Sequence, residues 1–140
     1  VAILKASSNK ELLMTIRRTP VEDMRHKSKV AFYHLPGGGG FMWAVATARD
    51  TSVGLPEQAA GALAVIDEYL QEAGLDRTRI VKAEVVVTDH DQKPAFDKVW
   101  SEWMPIDQGP VRSFVQSIMP EGDQVEIIIT AALPADYPAP

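Results

Sequence analysis

The chain has 140 residues, 46% of them apolar, with no cysteine and a net charge of −5 from 14 basic and 19 acidic side chains. That length and balance predict one soluble globular domain and leave no room for a two-domain enzyme. The lack of cysteine excludes a disulfide framework, a thiolate zinc site, an iron–sulfur cluster and a cysteine nucleophile, and the acidic total argues against nucleic acid as the main partner.

No run approaches the roughly 18 apolar residues of a membrane span, and Val1 to Leu13 lacks both the long apolar stretch and the small-residue cleavage site of a secretory signal. A cytoplasmic location is therefore expected, with residues 1–13 read as a possible N-terminal extension. Charge is unevenly spread. Residues 1–49 carry eight basic side chains against three acidic ones, and residues 50–140 carry six against sixteen. A basic segment beside a cleft would draw in an anionic substrate, whereas on a strand edge it would discourage aggregation.

Met14 to Arg18 is a candidate short strand. Val30 to His34 and Phe41 to Ala46 are β-branched and aromatic runs flanking Leu35-Pro36 and the glycines 37–40, which predicts two strands and a glycine-rich hairpin loop. The glycine run lacks the lysine and Ser/Thr of a phosphate-binding loop and precedes a strand, not a helix. From Pro56 to Ala73 apolar residues recur at Ala59, Leu63, Ile66, Leu70 and Ala73, with Pro56 suited to a first turn and Gly74 to a stop, and so predict a helix. Ile80 to Thr88 alternates as a strand, with Val81, Ala83, Val85 and Val87 on one face and Lys82, Glu84 and Val86 on the other.

Asp89 and Asp91 read as turn and cap residues around His90. Pro94 opens a second helix whose Phe96, Val99, Trp100 and Trp103 form an apolar stripe. Strands follow at Val111 to Ile118 and Gln124 to Ala131, separated by Pro120 to Asp123. The C-terminal prolines, over residues 134–140, predict an extended, loosely held tail. Two helices among single strands predict an α+β two-layer sandwich with both helices on one face of a mixed sheet. The opposite face, mixed in polarity, suits a subunit interface. His26, His34 and His90 have no metal-ligand spacing, and no metal or cofactor is expected.

Two charges stand inside apolar strands: Arg112, and Glu126 within Val125 to Ile129. A charge there has to be paired, solvated in a cleft or functional. If the two strands form a hairpin around Pro120 to Asp123, the two residues come close. They would then make either a buried ion pair or a site in which the guanidinium forks onto a carboxylate and the glutamate handles water or a proton.

Several ordered segments carry a resemblance: Val87-Thr88-Asp89, Phe96-Asp97-Lys98-Val99-Trp100, Gly109-Pro110-Val111-Arg112-Ser113, Met119-Pro120 and Val125-Glu126-Ile127. Over about residues 56–132 the chain resembles the reactive intermediate deaminase family, also called YjgF/YER057c/UK114 or RidA-like. The resemblance implies a chorismate-mutase-like fold, a homotrimer with a central barrel of sheets, and active sites between subunits. It also implies cofactor-independent hydrolysis of a carboxylate-bearing enamine or imine, of the 2-aminoacrylate or aminomuconate kind, to a keto acid and ammonia. The alternative is a non-catalytic carboxylate-binding or chaperone-like member of the same fold. Carried over by position, Arg112 is the carboxylate clamp, the Phe114 N–H a second anchor and Glu126 the residue that positions water. The N-terminal half departs from the pattern. Arg25-His26-Lys27-Ser28 stands where the family has Gly-Pro-Tyr-Ser, and Ala44-Val45-Ala46 where it has Ser-Gly-Gln. Ala44, Val45 and Lys27 would thus form the opposite wall, and a basic wall of His26 and Lys27, or of Lys29, would suit a second substrate carboxylate.

Overall fold

A computed structural model of the chain describes residues 15–138. The proposed extension over residues 1–13 and the last two residues of the Pro-rich end lie outside the described residues.

Among the described residues, six strands and two α-helices follow one another as β1 (Ile16–Val21), β2 (Met24–His34), β3 (Gly40–Thr47), α1 (Leu55–Glu72), β4 (Ile80–Val87), α2 (Lys93–Trp103), β5 (Val111–Gln116) and β6 (Val125–Leu133). They form one mixed sheet in the order β1-β2-β3-β6-β4-β5, in which only β4 and β5 run parallel. The α+β sandwich expected from the element order is therefore present, with both helices packed on one face.

The core lies between that face and the helices. Met42, Ala44 and Ala46 of β3, Ala83, Val85 and Val87 of β4 and alternate residues of β6 from Val125 to Leu133 are buried there against Leu55, Ala59, Ala62, Leu63, Ile66 and Leu70 of α1. The helix period of these α1 residues gives one continuous apolar stripe, and burying such a stripe supplies most of the helix's stability. The helix stops where the sequence predicts. Gly74 takes a φ of 73°, its N–H bonds Gln71 O at 2.9 Å, and Leu75 N–H bonds Leu70 O at 2.8 Å.

A set of polar contacts joins the two helices. Asp67 of α1 accepts from Trp103 Nε1 and from Arg77 Nη2, each at 2.8 Å, and Arg77 lies 4.7 Å from the Trp103 ring centroid. Gln58, fully buried at the start of α1, donates to Val53 O at 3.1 Å and Gly122 O at 2.8 Å and accepts from Gln124 N at 2.9 Å. One amide thus ties the helix entry to the turn before β6.

Three expectations are corrected. The strands holding Arg112 and Glu126 are not a hairpin: β5 pairs in parallel with β4 on the outside, and β6 enters between β3 and β4. A strand–helix–strand connection such as β4-α2-β5 favours parallel neighbours. Val81 does not share the face of Ala83. A bulge lets Ile80 pair with Ala131 and Lys82 with Thr130, so Ile80 is buried and Val81 is left exposed. The described part of the tail, finally, is held in place. Tyr137 N–H bonds Pro134 O, its hydroxyl donates to Ala73 O at 2.6 Å, and its ring stacks on His34.

The glycine run serves this tail. A Cβ at Gly38 would lie 2.1 Å from Ala135 O, and one at Gly40, whose φ is 134°, 1.9 Å from Tyr33 O. The run is therefore a structural loop. Part of the basic first third lies on a strand edge: β1 carries Arg17, Arg18 and Pro20, and its pairing with β2 is irregular at Thr19 to Val21. Charge, proline and irregular pairing all discourage edge-to-edge association.

Candidate functional site

Register assigns each candidate residue to a face. Arg112 pairs with Ala83, which pairs with Ile129, and both of these neighbours are buried under the helices. Arg112 and Phe114 therefore lie on the helix side. Glu126 pairs with Val86 and Thr47 and lies on the other, uncovered face. Within one subunit the sheet separates the two residues, and the Arg112–Glu126 ion pair considered from the sequence does not form.

Arg112 pairs with Asp97 instead. Its Nη2 donates to Asp97 Oδ1 at 2.6 Å, and Asp97 Oδ2 accepts from Lys93 Nζ at 2.8 Å. The guanidinium carbon is 5.4 Å from the Phe96 ring centroid, 5.2 Å from that of Trp100 and 5.6 Å from that of Phe114. His90 packs edge-on against Phe114 at 5.2 Å. The arginine side chain is only 17% exposed, yet among the described residues its Nη1 and Nε have no partner. Such a guanidinium, held by rings and by one ion pair, keeps an edge for a planar anion. Burial opposes ionisation of Asp97, but the hydrogen bonds and charges of Lys93 and Arg112 outweigh it and hold the carboxyl below its ordinary range.

Asp97, Lys93 and Trp100 are the site residues that reading the sequence missed. The available signal was the i,i+4 spacing of Lys93 and Asp97 next to the Phe96 stripe, but spacing alone does not reveal which strand residue the helix covers.

The Glu126 carboxylate has no hydrogen bond or ion pair among the described residues. Beside it on the same face, Val45 pairs with Ile128, and with Ser28, Lys29, Ala31 and Trp43 they line a shallow concavity of about 200 Å³. Two expectations change here. Ala44 is 3% exposed and turns its methyl into the core, so it can offer the concavity only backbone. Ser28 and Lys29, next to the last β2–β3 pair of Val30 with Ala44, line the concavity, and Lys27 does not. The uncovered face also exposes Phe41 and Trp43, whose ring centroids are 6.0 Å apart.

Among the described residues no three His, Asp or Glu side chains gather as a metal-binding group, and no helix is long and apolar enough to cross a membrane.

Comparison with known proteins gives a consistent result. The family model described as endoribonuclease L-PSP matches residues 44–133. The RutC family protein YoaB of Escherichia coli is 36% identical over 78 residues, covering 55% of this chain and 68% of that one. A RutC family protein of Haemophilus ducreyi is 29% identical over 116 residues, 82% of this chain and 96% of its own. Among solved structures, a YjgF family member from Neisseria meningitidis has the same fold, with a TM-score of 0.73 at 24% identity over 86% of this chain and 97% of that one. The match spans β3 through β6, including the strands of Arg112 and Glu126, and the chain belongs to the endoribonuclease L-PSP family, the RidA/YjgF family that its motifs resemble.

Proposed function

We propose that the chain is a cytoplasmic, cofactor-independent enamine/imine deaminase whose active sites lie between the subunits of a homotrimer. The observation that carries this reading is Arg112: a guanidinium caged by three aromatic rings, with Nη1 and Nε unpartnered, suited to a ligand carboxylate. The Phe114 N–H would be the second anchor. Glu126, unpaired on the opposite face, would come from a neighbouring subunit together with Val45 and, in place of Lys27, Lys29. The exposed Phe41 and Trp43 support an oligomer, since a face of that kind gains by being covered.

The reaction needs little. Water oxygen bonds to the imine carbon, the carbon–nitrogen bond breaks, two protons pass from that water to nitrogen, and the products are a keto acid and ammonia. Glu126 would orient the water and carry a proton, while Arg112 fixes the carboxylate next to the reacting carbon. The family's endoribonuclease description suits this chain less well, because a net charge of −5 is a poor match to a phosphate backbone.

The test is to generate 2-aminoacrylate or 2-iminobutyrate in situ with an amino-acid dehydratase and follow keto-acid release. Acceleration by the chain, lost in Arg112→Ala with the assembly intact, is expected. If there is no acceleration while a 2-keto acid still binds, the chain is a carboxylate-binding member without deaminase activity.

A further inference from the structure

Arg112 and Lys93 share one internal anion, Asp97, whose two oxygens are each bound to one of the two cations. Resting on the reading of Arg112 as the carboxylate-binding group, we propose that Asp97 determines the specificity of that site. Its fixed negative charge beside the open edge of the guanidinium holds anion affinity down and selects ligands with one carboxylate over ligands with two.

The argument begins with charge. Two cations and one carboxylate leave the cluster at net +1, which a single ligand carboxylate neutralises. A second ligand carboxylate held within the cluster would make it net negative and would face Asp97, which already engages both of the cluster's own cations. Solvent screens this only in part: Asp97 and Lys93 are 39% and 42% exposed, but the Arg112 side chain is 17% exposed and ringed by Phe96, Trp100 and Phe114, where charge interactions are stronger than in water.

Geometry then says how the ligand and Asp97 coexist. Asp97 accepts a single bond from Nη2, and Lys93 holds its other oxygen, so an arriving carboxylate takes the second Nη2 N–H together with Nη1 or Nε, beside Asp97 and without expelling it. The same ion pair fixes the plane of the guanidinium. Charge and orientation are therefore two separate contributions of one residue, and the isosteric amide divides them. In Asp97→Asn the side-chain oxygen still accepts from Nη2, whereas the negative charge is gone.

The experiment is calorimetric titration of the full chain with 2-oxobutyrate, a monocarboxylate, and 2-oxoglutarate, a dicarboxylate, for the native protein, Asp97→Asn and Arg112→Ala. We expect Asp97→Asn to tighten 2-oxobutyrate by on the order of tenfold and to tighten 2-oxoglutarate by about threefold more than that. With imine substrate, KM should fall in Asp97→Asn while kcat changes less. A purely structural role would leave the ratio of the two affinities unmoved, and an unchanged ratio, or weaker binding of both acids, overturns the proposal. Failure of the underlying reading looks different: native binding is absent, or it survives Arg112→Ala, and the proposal then falls with it.

Discussion

Arg112 and Glu126 stand on opposite faces of one sheet, with β4 between their strands. No side-chain rotation within a subunit can bring them to one substrate, so a site that uses both must be completed by a second copy. The proposed activity and the proposed assembly are thus a single claim.

That claim concerns the uncovered face. Trp43 is 41% exposed beside Phe41 on β3, so a charge placed there costs the isolated subunit little, yet it would be fatal to a packed interface. Trp43→Glu should reduce the mass measured by sedimentation equilibrium from three subunits to one while the circular dichroism spectrum is kept. A native mass of one subunit would remove the assembly, and an unchanged mass in the variant would remove this face as its interface.

Gln58 is a stability prediction independent of function. Its amide is fully buried and serves two carbonyls and one N–H. Gln58→Leu removes its bonds to Gly122 O and Gln124 N–H and leaves Val53 O only the 3.4 Å contact from Gln124 Nε2, and should cost about 2–4 kcal/mol. Urea denaturation with an unchanged m-value would measure it, and a loss below about 0.5 kcal/mol would mean that water replaces the amide.

His34 gives a pH prediction. It is buried, neither ring nitrogen has a partner, and it stacks between Phe32 and Tyr137. Burial first, and the charge of Arg17 second, hold its pKa below the ordinary 6.5. The unfolded chain therefore takes up this proton at higher pH than the folded one, and stability falls as pH drops below about 6.5 until the folded imidazole titrates as well. His34→Phe should flatten the decline in melting temperature between pH 7.5 and 5.5 and, by removing two unsatisfied nitrogens, stabilise the protein at pH 7.5 by about 1 kcal/mol. The same decline in the variant would assign the acid sensitivity to other groups.

Much of this architecture was legible in the sequence because it depends on local period. The α1 stripe from Ala59 to Leu70, the Phe96 to Trp103 stripe and the alternation in β6 each say which side is buried. Strand neighbours are not local. The turn at Pro120 to Asp123 looks like a hairpin, but β6 fills both its hydrogen-bonding edges with β3 and β4, and β5 takes the outer place beside β4. The bulge at Val81 and the inward methyl of Ala44 show how a one-residue change of phase moves a side chain to the other face. The partner of Arg112 was beyond reach, because no pattern in β5 says which turn of α2 lies over it. The family motifs pointed to Arg112 and Glu126 but not to the face each occupies.

The most direct test mixes two damaged chains. Arg112→Ala and Glu126→Gln should each be inactive alone. Unfolded together and refolded at equal ratio, they would form a native site wherever an intact Arg112 from one copy meets an intact Glu126 from the other, which random assembly gives at about one quarter of all sites. Recovery of about a quarter of the native deaminase rate is the predicted result, and a mixture as inactive as either variant alone would contradict a site shared between subunits.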